Sequence, residues 1–451
     1  MTHLISCFLL LILAGACTTT SAYWEEEEEE WDWKHREQEE WDWEGRGKQS
    51  FLLEDSVHVI KTDAGYMKVV RHSGGWDANK PMHIGFITME PKSLFVPQYM
   101  DSSLIIFVRR GEAKLGVIYK NELSERRLKR GDIYRISAGS PFYLVNTGEG
   151  QRLHIICSID PSESIGTMNF QSFFIGGGTN PPSVLSGFGA ETLATAFNVT
   201  VEELRMVMSR QKEGPITFLD DSLSPGKSKK EKPPHLDTMM EDVDEQLLSW
   251  RKLWSVFIGK KKGDDSRGKS PDSFNIYDKR KDFSNNYGWS VAVDGDDYKP
   301  LKHAGIGVYL VNLTAGSMMT PHWNPRATEY GVVLGGSGTI EIVHPNGTKA
   351  FRAEVREGDV FWVPRYFPFC QIASRTGPFE FFGFSTSARK NRPQFLAGAN
   401  SVLRSLIGAE LAAVFGLGEE ELRSLLDAQR ESVILPSAPV SPPGDQPEEK
   451  F

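Results

Sequence analysis

The residues with the strongest chemical character lie between Gly316 and Gly338, where a histidine, an asparagine and a glutamate occur close together. His322 and Asn324 are two residues apart in a segment with strand-like composition, so the pattern predicts that both side chains point to the same side. Glu329 follows nearby. Imidazole and carboxylate groups suit Mn, Fe or Zn as ligands. The stretch is therefore the first candidate for a binding site.

Strand patterns around this stretch indicate how the candidate residues are positioned. An apolar strand is predicted at 358–364, ending at a proline. Segments 338–344 and 349–355 flank Asn346-Gly347, and Asn-Gly tolerates the positive φ angles of a tight hairpin turn. Together these segments predict a small antiparallel barrel that contains a pocket.

Two motifs here resemble those of a known family. The spacing G-x5-H-x-N-x4-E-x6-G, from Gly316 to Gly336, resembles the first cupin motif, and GDVFWVP at 358–364 resembles the opening of the second. The sequence PHWN at 321–324 is similar to that of the 7S, or vicilin-like, seed storage globulins. The resemblance implies a mainly β fold of two tandem cupin barrels of the jelly-roll type, each followed by a helical arm.

The same resemblance implies a function and a location. It predicts a nutrient reservoir of the 7S globulin type, without catalytic activity, that assembles with itself as a homotrimer. It also predicts passage through the secretory pathway to the protein storage vacuole. Two alternatives of another class stay open: a cupin that binds a small carboxylate, and a copper-binding cupin with residual oxidoreductase activity.

The metal site of enzymatic cupins is incomplete in this sequence. Such cupins hold their metal with two His and a Glu from the first motif and a His from the second. Here Asn324 replaces the middle His and Phe369 the last one, and phenylalanine cannot bind a metal. The first half has Gln98, Met100 and Phe142 at its three His positions. We expect no cofactor, with copper or a small anion in the C-terminal barrel as open alternatives and His322 as the remnant metal candidate.

The candidate ligand-binding residues are therefore few. His322 is either a hydrogen-bonded core histidine or a donor to a small anion. The full set of candidates, which includes the residues near His322 and two from the first half, is His322, Asn324, Glu329, Tyr366, Asn146 and Tyr134.

An internal repeat divides the chain into two similar halves. Gly131-Asp132 opens an apolar segment in the first half as Gly358-Asp359 does in the second, and both halves end in segments with helical periodicity. A period of this length predicts a duplicated domain. The predicted domains are a barrel with a helical arm at 50–213 and another at 273–432.

The regions outside the two halves differ in composition. Residues 1–22 have the short apolar run of a secretory signal peptide, which is too short to span a membrane. Residues 23–49 form an acidic, Trp-containing segment for which we predict disorder. Residues 214–272 form a charged linker with an amphipathic helix at 243–258. The tail at 433–451 is predicted to be disordered.

Apart from the chain itself and the small carboxylate ligand left open above, no partner is indicated. The basic residues 260–262 lack an aromatic platform or a basic face, so no nucleic-acid partner is expected, and no membrane association is expected. Glycosylation sequons at Asn346, on the predicted hairpin tip, and at Asn198 are the candidate modification sites.

Overall fold

A computed structural model describes residues 51–72, 82–166, 169–219 and 272–436. All of these lie in one unit, Ser50–Phe451. The predicted signal peptide 1–22, the acidic segment 23–49, the helix 243–258 and the tail after Pro436 lie outside the described residues. None of the described helices is both long and apolar enough to cross a membrane.

The first half is an antiparallel barrel of two sheets. One sheet has the order β1-β2-β3-β10-β5-β8-β13, and the other has the order β11-β4-β9-β6-β7 with β12 added beside β4. The strands are β1 (Ser56–Thr62), β2 (Gly65–Val70), β3 (His83–Met89), β4 (Ser93–Met100), β5 (Ser103–Arg110), β6 (Ala113–Tyr119), β7 (Glu122–Leu128), β8 (Asp132–Ile136), β9 (Phe142–Asn146), β10 (Leu153–Asp160), β11 (Ser172–Phe174), β12 (Ile216–Phe218) and β13 (Phe274–Asn275).

The second half repeats this arrangement within one continuous sheet system of order β14-β15-β16-β23-β19-β22-β17-β25. Strands β20 and β21 pair with β19, and β18 pairs with β22 and β24. The strands are β14 (Phe283–Asn285), β15 (Gly288–Val293), β16 (Gly307–Leu313), β17 (Ser317–Met319), β18 (His322–Trp323), β19 (Glu329–Val343), β20 (Lys349–Arg356), β21 (Val360–Val363), β22 (Phe369–Ala373), β23 (Phe379–Ser385), β24 (Gln394–Phe395) and β25 (Ile434–Pro436).

Strand β19 is the longest strand and joins the two faces of the second barrel. Its first part pairs with β21 and β23, and its second part pairs with β20 and β22. The change occurs at a bulge between Val333 and Gly335. Gly336 follows with φ 75°, a backbone conformation that residues other than glycine rarely adopt. The glycine therefore allows one strand to turn a corner of the barrel.

A helical arm follows each barrel. The first arm contains α1 (Ala190–Phe197) and α2 (Val201–Arg210). After the short α3 (Lys299–Ala304) at the start of the second half, the second arm contains α4 (Val402–Ser405), α5 (Ala409–Phe415) and α6 (Glu419–Asp427). A capping box begins α2: the Glu203 N–H donates to Thr200 Oγ1 at 3.2 Å, and the Thr200 N–H donates to Glu203 Oε2 at 2.8 Å.

The ends of the predicted domains need correction. The boundary at 213 omits β12, which pairs with β4, and the boundary at 432 omits β25, which pairs with β17. After each arm, the chain returns to the barrel from which it came and adds one strand. Backbone N–H and C=O groups at a strand edge need partners, and these short returning segments supply them.

The two halves also exchange chain segments. Strand β13, at the start of the second half, pairs with β8 of the first barrel, while Leu52, at the start of the first half, bridges Phe361 in the second. The barrels pack through the outward faces of their sheets, where Phe107 and Phe382 stack at 3.9 Å. Residues near 50 and 273 therefore complete the opposite barrel, which the duplication pattern did not predict.

Candidate functional site

His322 lies inside the second barrel and is held in place by two aromatic rings and one carbonyl. It pairs with Phe369 on β22 and with Phe395 on β24, and its ring lies 4.2 Å and 5.4 Å from theirs. Nδ1 is 2.7 Å from the carbonyl of Thr320. A carbonyl only accepts hydrogen bonds, so Nδ1 carries the proton. Burial lowers the pKa of His322 to about 4, which makes the ring neutral and leaves Nε2 as an acceptor.

Asn324 and Glu329 are buried beside each other and are hydrogen-bonded. The Asn324 Nδ2 amide donates to Glu329 Oε1, and Asn391 Nδ2 donates to Asn324 Oδ1 at 2.7 Å. Burial raises the pKa of Glu329 to about 7, although its interactions with Asn324 and Tyr309 act in the opposite direction. The three polar groups form a short chain that ends at the carboxyl.

Tyr309 reaches this carboxyl from β16 because the strand beside it carries a glycine. Tyr309 pairs with Gly383 on β23, where a Cβ atom would lie 2.2 Å from the Tyr309 ring. The Tyr309 hydroxyl lies close enough to lower the pKa of Glu329, but it forms no well-aligned hydrogen bond among the described residues. Tyr309 was missed by the sequence analysis, although its alternation with Val311 in an apolar strand is a usable signal.

A cavity of about 420 Å³ connects these groups. Its polar lining includes His322, Glu329 and Tyr309, together with Gln371 and Asn391, which were also missed. Gln371 is two residues after Phe369 on β22, and this spacing places it on the same inner face. Asn391 lies in a loop, where no strand pattern could have indicated it. The cavity is therefore partly polar and lies within the second barrel.

Comparison with known proteins identifies the family. A family model described as Cupin matches residues 55–204 and 274–423, once in each half. A vicilin-like seed storage protein of Arabidopsis thaliana is 54% identical over 428 residues, covering 89% of this chain and 83% of that protein. This chain belongs to the vicilin-like seed storage proteins of the cupin family. It is accordingly a storage globulin of the 7S type and not an enzyme, as the resemblance predicted.

Solved vicilins share the fold. Hazelnut vicilin, from Corylus avellana, superimposes with a TM-score of 0.71 at 24% identity, covering 85% of this chain and 98% of the hazelnut chain. A vicilin from Solanum melongena gives a TM-score of 0.71 at 20% identity, covering 85% and 96%; different anionic ligands in structurally similar pockets are described for it. At these identities the likeness establishes the vicilin fold of two cupin barrels with helices after each.

The side chains in the storage globulin's second barrel do not fit a metal. His322 offers one imidazole nitrogen, Glu329 is bonded to Asn324, and the neighbouring Phe369 has no donor atom. The described part of the chain contains no group of three or more His, Cys, Asp or Glu side chains able to hold a metal ion. A copper site at His322 is therefore not supported by the donors present.

The expected anion site near His322 and Asn324 is also not formed as predicted. The expectation required both side chains to donate hydrogen bonds into the pocket. Instead, the single N–H of neutral His322 donates to Thr320, and the Asn324 amide donates to Glu329. An anion at this position would also face the Glu329 carboxyl. Neither side chain therefore has a free donor for an anion in this arrangement, and a ligand-binding role for His322 and Asn324 stays a prediction.

Three other candidates lie away from the cavity. Tyr366 is 57% exposed and sits in a turn at φ 75°. Asn146 uses its amide to bind the backbone at Met89, Glu90 and Gln151, so it joins loops of the first barrel. Tyr134 is buried in the apolar core of that barrel. Asn146 and Tyr134 were predicted for the first barrel, and Tyr134 does lie in its interior. A ligand-binding role for these three residues stays a prediction.

The two glycosylation candidates are both exposed. Asn346 lies in the hairpin between β19 and β20, where its side chain accepts hydrogen bonds from the backbone and hydroxyl of Thr348. Asn198 ends α1 in a left-handed conformation at φ 54°. Both sites are accessible in the monomer, and their glycosylation stays a prediction.

Proposed function

We propose that this storage globulin holds nitrogen as a head-to-tail homotrimer, in which the arm of one copy docks on a barrel of the next. The observation that carries the proposal is the apolar surface of the arms. Val414 on α5 is 82% exposed, Leu425 on α6 is 65% exposed, and Val207 on α2 is 63% exposed. Exposed apolar side chains grouped on one surface mark an interaction site.

The distribution of these side chains favours a ring. Each copy carries two arms, one after each barrel, and both have exposed apolar residues. These are Phe188, Phe197, Met206 and Val207 in the first arm and Leu406, Val414, Phe415 and Leu425 in the second. Contacts between different surfaces of identical copies form closed rings when the rotation allows. A closed ring would bury both arms of every copy.

Sedimentation of the full chain tests this assembly. We expect a trimer for the natural sequence and a monomer for the double variant Val414→Lys with Leu425→Lys. Val57→Lys serves as the control, because Val57 is an exposed apolar residue on β1, outside the arms. A natural protein that sediments as a monomer at micromolar concentration would contradict the proposal.

The proposed destination is the protein storage vacuole, reached through the secretory pathway. Its support is the signal-like composition of residues 1–22 and the family of the chain. We propose removal of that segment and glycan attachment at Asn346 and Asn198. Intact-mass measurement of seed protein before and after glycan removal tests both steps, and an unmodified chain that starts at Met1 would contradict them.

The two ligand-based alternatives have less support. Anions are described for the Solanum melongena vicilin, but in this chain the predicted donors are already bonded within the barrel. Copper lacks a sufficient donor set around His322. Storage as an assembled globulin is therefore the function that the arrangement supports best.

A further inference from the structure

Several polar atoms of the second-barrel cavity can accept hydrogen bonds but not donate them. Neutral His322 has its only N–H bonded to Thr320, which leaves Nε2 as an acceptor. Gln371 Oε1 and Asn391 Oδ1 are buried and have no hydrogen-bond partner within the described residues. Buried acceptors without partners are costly, so each of these atoms calls for a donor.

The orientation of the amides follows from their hydrogen bonds. The Glu329 oxygen accepts from Asn324 Nδ2, so the Asn324 oxygen points away from the carboxyl and towards Asn391. Asn391 therefore turns its NH₂ group to Asn324 and leaves Oδ1 unpaired. The polar chain presents acceptors at both ends.

The cavity also contains an uncompensated acid. Glu329 is 8% exposed, and no basic side chain of the described residues forms an ion pair with it. A buried carboxylate is stable only when it is paired or well hydrogen-bonded. An added cation with N–H groups would supply both a charge and donors.

The rest of the lining is part charged and part apolar. It includes four aspartates and three basic side chains, so with Glu329 the acids outnumber the bases: Asp282, Asp294, Asp296, Asp297, Lys279, Arg389 and Lys390. The apolar part suits the body of a small organic molecule. Val291, Val311, Phe381 and Phe395 line the same space, whose volume of about 420 Å³ lies in the range of small-molecule sites. We propose that the cavity of the second barrel binds a small organic ammonium ion, a primary amine with a short aromatic or aliphatic body, held by Glu329 and the neighbouring acceptors.

The first barrel provides an internal contrast. Gln98 pairs with Phe142 and Phe174 as His322 pairs with Phe369 and Phe395. The core around it is apolar, and the buried hydrophobic cluster there includes Met100 and Tyr134. Asp132 is the one buried carboxylate among the described residues of the first half, and it already accepts from the Lys129 N–H and from Asn275 Nδ2. We therefore expect one amine site per chain.

The test uses three probes that differ in the head group: 2-phenylethylamine, 2-phenylethanol and 3-phenylpropionate. Binding to the full-length protein is measured by calorimetry at pH 8 in phosphate buffer. We expect one amine per chain, bound at least tenfold more tightly than the alcohol, and no binding of the carboxylate. A charge-assisted hydrogen bond supports a difference of this size.

Two variants locate the site. Glu329→Gln keeps the shape and should weaken the amine tenfold or more while leaving the alcohol unchanged. Glu354→Gln removes an exposed carboxylate on β20 and should change neither. Tighter binding of 3-phenylpropionate than of the amine, equal amine binding by natural protein and Glu329→Gln, or no amine binding at millimolar concentration would each overturn the proposal.

Discussion

Two buried titratable side chains in the second barrel respond to pH in opposite directions. Burial raises the pKa of Glu329 to about 7 and lowers that of His322 to about 4. In both cases burial favours the neutral form. Glu329 therefore contributes most to folding stability at low pH, and His322 contributes most at higher pH.

Glu329→Gln should increase stability at alkaline pH. The folded-state pKa of Glu329 lies above its usual 4.5, so its stabilising contribution is present below pH 4.5 and lost as the pH rises through 7. Glutamine has no such loss. We expect the free energy of unfolding of the variant, relative to the natural protein, to rise by about 2–3 kcal/mol between pH 5 and pH 8.

Urea unfolding at fixed protein concentration measures this difference. Glu354→Gln is again the control, since the Glu354 carboxylate is exposed. A difference between Glu329→Gln and natural protein that stays constant from pH 5 to pH 8 would show that Glu329 is not titrating in this range.

His322→Gln should have the complementary effect at acid pH. The folded-state pKa of His322 lies below 6.5, so the stability it supports is present above pH 6.5 and lost as the pH falls through 4. Glutamine, which the first barrel has as Gln98, does not titrate. We expect the variant to lose about 3 kcal/mol less than the natural protein between pH 6.5 and pH 4. Exposed His303→Gln is the control in the same urea series, and equal pH slopes would contradict the assignment.

At the level of elements, the corner of β19 depends on a single glycine. Gly336 has φ 75°, and a Cβ there would lie 1.7 Å from the carbonyl oxygen of Pro378. The neighbouring hairpin glycine, Gly347, also has positive φ at 82°, but no atom lies within 4 Å of its Cβ position. A substitution at Gly347 therefore measures the effect of positive φ alone, whereas one at Gly336 adds the effect of crowding.

Gly336→Ala should therefore destabilise the protein much more than Gly347→Ala. We expect roughly 3–4 kcal/mol for the first, from the positive φ and overpacking together, and about 1 kcal/mol for the second. Denaturant unfolding of unglycosylated recombinant protein measures both. Equal losses would mean that the β19 corner relaxes without cost.

The sequence predicted elements better than it predicted the site. Repeated motifs identified two barrels and their arms because strand and helix periodicities are local properties. Of the three residues singled out by their spacing, His322 and Glu329 line the cavity, and Asn324 is hydrogen-bonded to Glu329. His322 bonds to the Thr320 backbone and Asn324 to Asn391 in a distant loop, while a facing glycine makes room for Tyr309 beside Glu329. None of these contacts follows from local periodicity.

At the scale of the whole molecule, the barrels are linked by more than the connecting segment. Strand β13 completes a sheet of the first barrel, and Leu52 bridges the second. Stacked Phe107 and Phe382 lie between their outward faces. Separation of the halves would expose these apolar surfaces and break paired strands.

Trypsin is expected to cut first in the charged segments 25–48 and 220–271, with early cleavage between Lys227 and Lys232, because these sequences are rich in charged residues. After cleavage in the second segment, the halves should stay associated. Size-exclusion chromatography should give one species under native conditions, and a denaturing gel of that species should give two fragments. Fragments that elute separately, or cleavage within a barrel first, would contradict the predicted organisation.

The exchanged segments also impose an order on biosynthesis. A ribosome releases the chain from its N-terminus, so all residues from β1 to β12 emerge before β13, which completes the edge of the first barrel beside β8. The bridge of Leu52 forms later still, because its partner Phe361 is synthesised far downstream. The nascent first half therefore carries an unfinished sheet edge and an uncovered Phe107 until the second half arrives. Neither barrel can therefore reach its final form until chain from the other half has been synthesised.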